Sequence, residues 1–239
     1  MSNTNQKKVL FSITKKNDQM HDSHEVENSL LVTKQGQLQN AFNRWADENR
    51  NPLSSCSMRI VTDSFDYLHD DQVLPIQPEQ LFFMDYTSKE DLANANVLDI
   101  GLGSGALSIF CLLNGAASCI GLDINPRAKL FAGYNAMINN IDKDFLMIDG
   151  DPFDIFRSVA NKKFEFICSN PPFEPTPPDV NYYINSAAGI YGLDFVDKIL
   201  ANVDRHLVDD GVLQMVTMAP GNATKPFKLY EIIENLNSG

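Results

Sequence analysis

Two short runs carry most of the chemistry in this chain. Asp99-Ile100-Gly101-Leu102-Gly103-Ser104-Gly105-Ala106 ends one apolar strand and begins an apolar helix. Glycines at such a turn let the backbone approach a ligand closely and adopt positive φ. Asp123, about twenty residues further on at the end of the next strand, fits a carboxylate that accepts ribose hydroxyls. Gly101, Gly103 and Ala106 also satisfy the dinucleotide spacing G-x-G-x-x-[G/A], so this run alone leaves a nicotinamide enzyme, another nucleoside-bearing cofactor and plain helix-strand packing all open. The second run is Ser169-Asn170-Pro171-Pro172-Phe173, after the apolar segment Phe164 to Cys168. Its two prolines fix φ and remove two donors, leaving the Asn170 side-chain oxygen and the Pro171 carbonyl as acceptors. Such a pair can hold an NH2 group, orient its lone pair toward an electrophile and favour the positive charge that develops on attack. Phe173 adds a flat face for stacking on the group that bears the nitrogen. Hydride transfer has no use for that arrangement.

The elements around these runs alternate. From Asn96 onward the pattern predicts strand Val97 to Ile100, helix Ala106 to Leu113, strand Cys119 to Asp123, helix Pro126 to Asn140 and strand Phe145 to Ile148. A short helix around Phe153 to Ala160, strand Phe164 to Cys168, helix Leu193 to Leu207, strand Val212 to Met218 and a helix from Phe227 to Leu236 complete it. The expected class is α/β, a doubly wound and mostly parallel sheet over residues 91–239. Residues 1–90 are expected to form a mixed helical and strand extension related to substrate. Within it, Gln37 to Asn49 reads as an amphipathic helix, with short strands at Met58 to Val61, Phe65 to Leu68 and Gln72 to Ile76.

Composition narrows the partners. The 239 residues hold 19 Lys and Arg against 31 Asp and Glu, a net charge of −12. That field repels phosphate backbones and tilts the expected acceptor toward protein or a small molecule and away from RNA. No apolar run approaches the length of a membrane span, and Val9 to Ile13 is too brief for a signal peptide. The four cysteines, Cys56, Cys111, Cys119 and Cys168, form no paired spacing and read as reduced thiols of a cytoplasmic protein. His21 and His24 form a lone HxxH with no third ligand at matching spacing, so no metal is expected.

Val97 to Ala106, Asp123 and Asn170 to Phe173 together resemble the motifs of class I S-adenosylmethionine-dependent methyltransferases with their Rossmann-like fold. The branch is the amino-methylating one that includes HemK-type protein-glutamine enzymes and small-domain rRNA guanine enzymes. Gly150-Asp151-Pro152-Phe153, Ala188 to Phe195 and Val73 to Glu79 extend the similarity over roughly residues 60 to 220. The resemblance implies that Gly101, Gly103 and Gly105 cradle the methionine portion of the cofactor and that Asp99 helps at its ammonium end. Asp123 would hold the ribose hydroxyls and Asp151 the adenine amine, with Ile124 and Pro152 near the ring. Asn170 and Pro171 would grip the substrate nitrogen beside Pro172, and Phe173 would stack on it. Taken alone, Asp151 and Asp123 could also each cap a turn.

Departures from the family pattern are Gln77 and Gln80 in the cofactor-access segment, Pro152 where a larger apolar residue is usual, and Glu165. A further one is the run from Pro175 to Tyr183, where the family carries a Glu-Pro substrate element. The strand pair that the family adds after its last helix is missing. An open sheet edge is therefore expected, explained by a truncated chain, by cover from the N-terminal segment or by pairing with a second chain. The expected function is N-methylation of an amide or exocyclic amine, with a base-methylating RNA enzyme and a non-catalytic cofactor-binding subunit as alternatives.

Overall fold

In the computed structural model the described residues are 8–13, for which only the backbone is considered, 58–141, 144–180, 182–183, 185–222 and 225–236. The predicted helix at Gln37 to Asn49, the His21 and His24 cluster and Cys56 lie outside them. The strands are β1 (Lys8–Ile13), β2 (Asn96–Ile100), β3 (Ser118–Asp123), β4 (Phe145–Asp149), β5 (Phe164–Ser169) and β6 (Leu207–Thr217). The helices are α1 (Pro78–Tyr86), α2 (Lys89–Leu92), α3 (Ala106–Leu113), α4 (Pro126–Ile138), α5 (Asp194–Leu200) and α6 (Phe227–Leu236). All six strands are parallel, in the order β1-β6-β5-β2-β3-β4.

The central strands are buried on both faces, which is why they read as unbroken apolar runs. Val97 and Phe166 point to one layer with Phe83, Leu92, Ile109 and Ala132. Leu98, Ile100 and Ile167 point to the other with Val196, Ile199, Met215 and Leu229. The chain winds outward from β2 through β3 to β4, then returns to the other side of β2 for β5. That reversal places the carboxyl ends of β2 and β5 side by side at a topological switch point, where open α/β sheets hold ligands. Both chemistry-bearing runs leave the sheet there.

Several elements differ from expectation. The three strands expected between Met58 and Ile76 form no ladder. The backbone of Val61 instead pairs with the Asn135 side chain, donating at 2.8 Å and accepting at 2.9 Å, and Arg59 N–H donates to Asn139 Oδ1 at 3.0 Å. Side-chain amides on α4 thus replace a neighbouring strand. Ile60, Ile76, Phe83, Met84 and Leu92 enter the same apolar layer as Val97, so residues 58–92 pack as part of the core. The helix expected at Phe153 to Ala160 shrinks to a 3-10 turn at Arg157–Val159. The helix expected from Leu193 to Leu207 stops at Leu200, before a separate 3-10 turn at Val203–His206.

The edge of β6 is not open. Lys8–Ile13, a strand the periodicity did not signal, runs parallel along Val212 to Thr217. Of the outcomes expected for this edge, cover by the N-terminal segment is the one observed.

Candidate active site

Short links between strand ends hold the two loops against each other. Ser169 Oγ, fully buried at the end of β5, donates to the Ile100 carbonyl at 2.6 Å and ties the end of β5 to the end of β2. The Gly101 and Leu102 N–H groups both donate to the Leu122 carbonyl at 2.9 Å, drawing the glycine loop over the end of β3. A Cβ placed on Gly103 would meet only the Gly101 carbonyl at 4.0 Å, and one on Gly101 only the Asn170 carbonyl at 3.9 Å. The two loops therefore face a common space in which bare backbone is offered to a ligand. That space is a cavity of about 670 Å³.

Of the expected site residues, Gly101, Gly103, Asp123, Ile124, Asp151, Pro152, Asn170, Pro171, Pro172 and Phe173 all line the cavity. Asp123 Oδ2 accepts from Gly103 N–H at 2.7 Å and Oδ1 from Asn125 N–H at 2.8 Å, so the loop and the start of α4 orient the carboxylate. Burial pushes its pKa up, against the pull of these backbone donors. Gly105 stands behind the cavity, with φ 79° and a virtual Cβ 2.9 Å from Ala132 Cβ, where it permits close packing of α3 on α4.

Two expected residues are held by bonds within their own loops. Asp99 is wholly buried and does not line the cavity. Its Oδ2 accepts from Ser108 N–H at 3.1 Å and Oγ at 2.6 Å, anchoring the first turn of α3, and Oδ1 has no partner. Burial raises its pKa to about 7. Asp151 reaches the cavity, but its Oδ1 accepts from Phe153 N–H at 2.8 Å and Asp154 N–H at 3.1 Å, while Oδ2 takes Arg157 Nη1 at 2.8 Å. The Arg157 bond, ahead of the two backbone donors, holds its carboxyl below the usual range. It is a turn cap, and the same turn displaces the helix expected there.

The acceptor run is held from outside. Glu174 N–H donates to the Ser186 carbonyl at 2.9 Å, Ala188 N–H to the Glu174 carbonyl at 3.1 Å and Thr176 N–H to the Gly189 carbonyl at 2.7 Å. Residues 186–192 therefore form a clamp on the Asn170 loop, tightened at Gly192, whose φ of 71° and contact with the Phe173 carbonyl leave no room for a Cβ. Within this frame Asn170 Oδ1 is shielded from solvent and has no hydrogen-bond partner. An orphaned acceptor of this kind calls for a donor from a ligand.

The residue reading missed several cavity residues: Gln72, Glu79, Glu174, Asn185 and Ser186. Glu79 was legible only as part of the cofactor-access segment. Gln72 was legible only as the start of an expected strand, and Glu174, Asn185 and Ser186 lie in a loop whose spacing carries no period. Burial raises the Glu79 pKa, and the neighbouring Glu174 raises it further. Among the described residues no group of three or more His, Cys, Asp or Glu is arranged to hold a metal ion. No described helix is long and apolar enough to cross a membrane.

Comparison with known proteins adds an independent line. A family model described as "Methyltransferase small domain" matches residues 80–237. A Methanocaldococcus jannaschii protein assigned as a protein N5-glutamine methyltransferase is 36% identical over 130 residues, which cover 53% of this chain and 63% of that protein. The release factor glutamine methyltransferase of Thermodesulfovibrio yellowstonii is 31% identical over 127 residues, 49% of this chain and 44% of that protein. The chain thus spans less than two thirds of the length of these curated relatives. Among solved structures, a chain from Streptococcus mutans assigned as a SAM-dependent methyltransferase aligns with a TM-score of 0.51 at 16% identity. The alignment covers 68% of this chain and 40% of that one, a likeness of fold.

Proposed function

Because the chain belongs to the methyltransferase small domain family, we propose that it transfers a methyl group from S-adenosylmethionine to the side-chain amide nitrogen of a protein glutamine. The observation that carries this reading is Asn170, which lines the cavity that also receives the glycine loop and Asp123 and whose Oδ1 has no hydrogen-bond partner. The open space over Gly101 and Gly103 fits a cofactor that needs close backbone approach, and Asp123, already aimed by Gly103 and Asn125, would hold its ribose hydroxyls. Ile124 and Pro152 would flank the adenine. When bound, the cofactor would supply a methyl carbon on a sulfonium, whose S–C bond would break as the N–C bond forms, leaving a neutral thioether. Asn170 Oδ1 and the Pro171 carbonyl hold the two amide hydrogens, so the nitrogen lone pair faces the cofactor side and the developing positive charge meets two acceptors. One proton then leaves the nitrogen to solvent. Phe173 stacks on the planar amide.

Asp99 serves this site from behind by fixing α3, and Asp151 through the turn it caps. Gln72, Gln77, Gln80, Glu174, Asn185 and Ser186, which line another part of the cavity, belong to the substrate-related part of the chain. The three described cysteines, Cys111, Cys119 and Cys168, are free, which accords with a reducing, cytoplasmic setting. Calorimetric titration with S-adenosylhomocysteine, with NAD as the control ligand, tests the cofactor. Micromolar binding of S-adenosylhomocysteine alone, followed by incorporation of labelled methyl into glutamine-containing protein, is the expected result. Binding of NAD alone overturns the reading.

A further inference from the structure

We propose that Arg127, which does not itself line the cavity, is a positioning residue for the bound cofactor: it fixes the loop from Asp63 to Val73 as a cavity wall and keeps Asn125 aimed at the Asp123 carboxylate. The proposal rests on the methyl-transfer reading of the same cavity and adds a residue outside the runs that carry that reading. Phe65, Asp70, Gln72 and Val73 line the cavity from this loop, as do Asp123 and Asn125 from the end of β3 and the start of α4. The loop joins no strand ladder. Its neck is closed by Asp63 N–H donating to the Val73 carbonyl at 3.1 Å and Val73 N–H donating to Asp63 Oδ2 at 2.9 Å. That closure shapes the loop without deciding where it lies against the sheet. Arg127 decides it. Its Nη2 donates to Asp63 Oδ1 at 2.6 Å, its Nε lies 3.4 Å from Asp71 Oδ2, and its guanidinium sits 4.7 Å from the centre of the Tyr67 ring. The Tyr67 hydroxyl donates in turn to Asp71 Oδ1 at 3.1 Å.

One side chain can grip the loop at both ends and in the middle because a planar guanidinium addresses two carboxylates while leaving its face free for a ring. Asn125 carries that grip to the cofactor half of the cavity. Its Nδ2 donates to the Asp71 carbonyl at 2.8 Å, its Oδ1 accepts from Arg127 N–H at 2.9 Å, and its own N–H donates to Asp123 Oδ1 at 2.8 Å. Without the guanidinium, the Asp63 carboxylate, only 10% exposed, keeps a single backbone donor and is stabilised by moving toward water. The loop then leaves Asn125, and Asp123 loses part of its aim. Partly exposed ion pairs add little to global stability, so the consequence falls on position more than on folding.

Calorimetric titration of the full chain with S-adenosylhomocysteine tests this, well below the melting range, on the native chain, Arg127→Gln, Arg127→Lys, and an Asp63→Asn, Asp71→Asn background with and without Arg127→Gln. Melting curves first show each variant to be folded. Arg127→Gln is expected to weaken binding about tenfold through misplacement of the wall and of Asp123. Arg127→Lys keeps a cation that reaches one carboxylate, so its affinity is expected to stay within about threefold of the native chain. In the Asp63→Asn, Asp71→Asn background, adding Arg127→Gln is expected to cost less than about twofold more, because those carboxylates are the route by which Arg127 acts. A side chain that only stabilised the fold would lower the melting temperature and leave these affinities alone. Unchanged affinity in Arg127→Gln, no rescue by lysine, or an undiminished loss in the Asp63→Asn, Asp71→Asn background overturns the proposal while the methyl-transfer reading stands. If the native chain does not bind S-adenosylhomocysteine, that reading fails and the proposal falls with it.

Discussion

Asn170 and Asp99 show how the same few atoms of polarity serve different ends. Asn170 Oδ1 is buried without a partner, so its cost is recovered only when a donor arrives. Asn170→Ala is expected to lower kcat by about 10²-fold or more while changing the Kd for S-adenosylhomocysteine by less than about threefold, measured by methyl incorporation and calorimetry. Unchanged turnover would remove the residue from its role. Asp99 is the opposite case, a carboxyl satisfied on one oxygen and sealed from both solvent and cavity, with its pKa raised from 3.8 to about 7 by burial. A raised carboxyl pKa means that the folded state holds the proton more tightly. The stability it contributes is fully present below about pH 4 and is lost as pH rises through about 7. Asp99→Asn is expected to flatten that part of the pH dependence, read as the change in urea midpoint between pH 5 and pH 8. An unaltered slope would assign the effect to other groups.

Elements here are aligned as much by side-chain amides and a tight glycine as by ladders. Asn135, buried in α4, bonds both backbone groups of Val61 and donates to the Ser104 carbonyl at 2.8 Å, joining residues 58–63, the glycine loop and α4. Asn135→Ala leaves the buried Ser104 carbonyl and both backbone groups of the more exposed Val61 without this partner, and is expected to cost about 2 kcal/mol in urea denaturation. Gly192 plays a comparable part for the acceptor loop. A Cβ there would combine a φ of 71° with a clash on the Phe173 carbonyl, so the Asn170 loop must shift. Gly192→Ala is expected to destabilise the fold by about 1 to 3 kcal/mol and to reduce methyl transfer far more than S-adenosylhomocysteine affinity. Equal loss of both would mean that the clamp supports the cofactor half as well.

Across the whole molecule, charge and sheet closure set the behaviour. The net charge of −12 and a cavity lined by five carboxylates, with no basic side chain among its described lining, act in the same direction: both repel a polyanion. The β1 strand closes one edge of the sheet on β6. Deleting residues 1–13 exposes that row of backbone donors and acceptors. The shortened chain is expected to melt at lower temperature and to associate with rising concentration in light scattering. A monomeric variant of unchanged melting temperature would show that β1 adds nothing to the edge.

From Val97 to Leu236 the order of the strands and of the main helices was legible in the amino-acid sequence, because strands buried on both faces must be apolar throughout and crossover helices must be amphipathic; the helix expected at Phe153 to Ala160 and the full length of the one expected from Leu193 to Leu207 were not. The glycine run, Asp123 and the Asn170 run were legible too, since φ restriction, missing donors and free acceptors are properties of residue type and local order. Tertiary structure decided the rest. Whether residues 58–61 formed a strand depended on Asn135 and Asn139, about 75 to 80 positions away, which took up backbone groups of Arg59 and Val61 that a strand would have paired. Asp99 and Asp151 are both carboxylates at strand ends, yet one is sealed beneath α3 and the other spent on a turn. The cover on β6 likewise joins residues far apart along the chain. Local pattern constrains a residue's own backbone and nearest turn; which distant group meets its polar atoms depends on how the layers close.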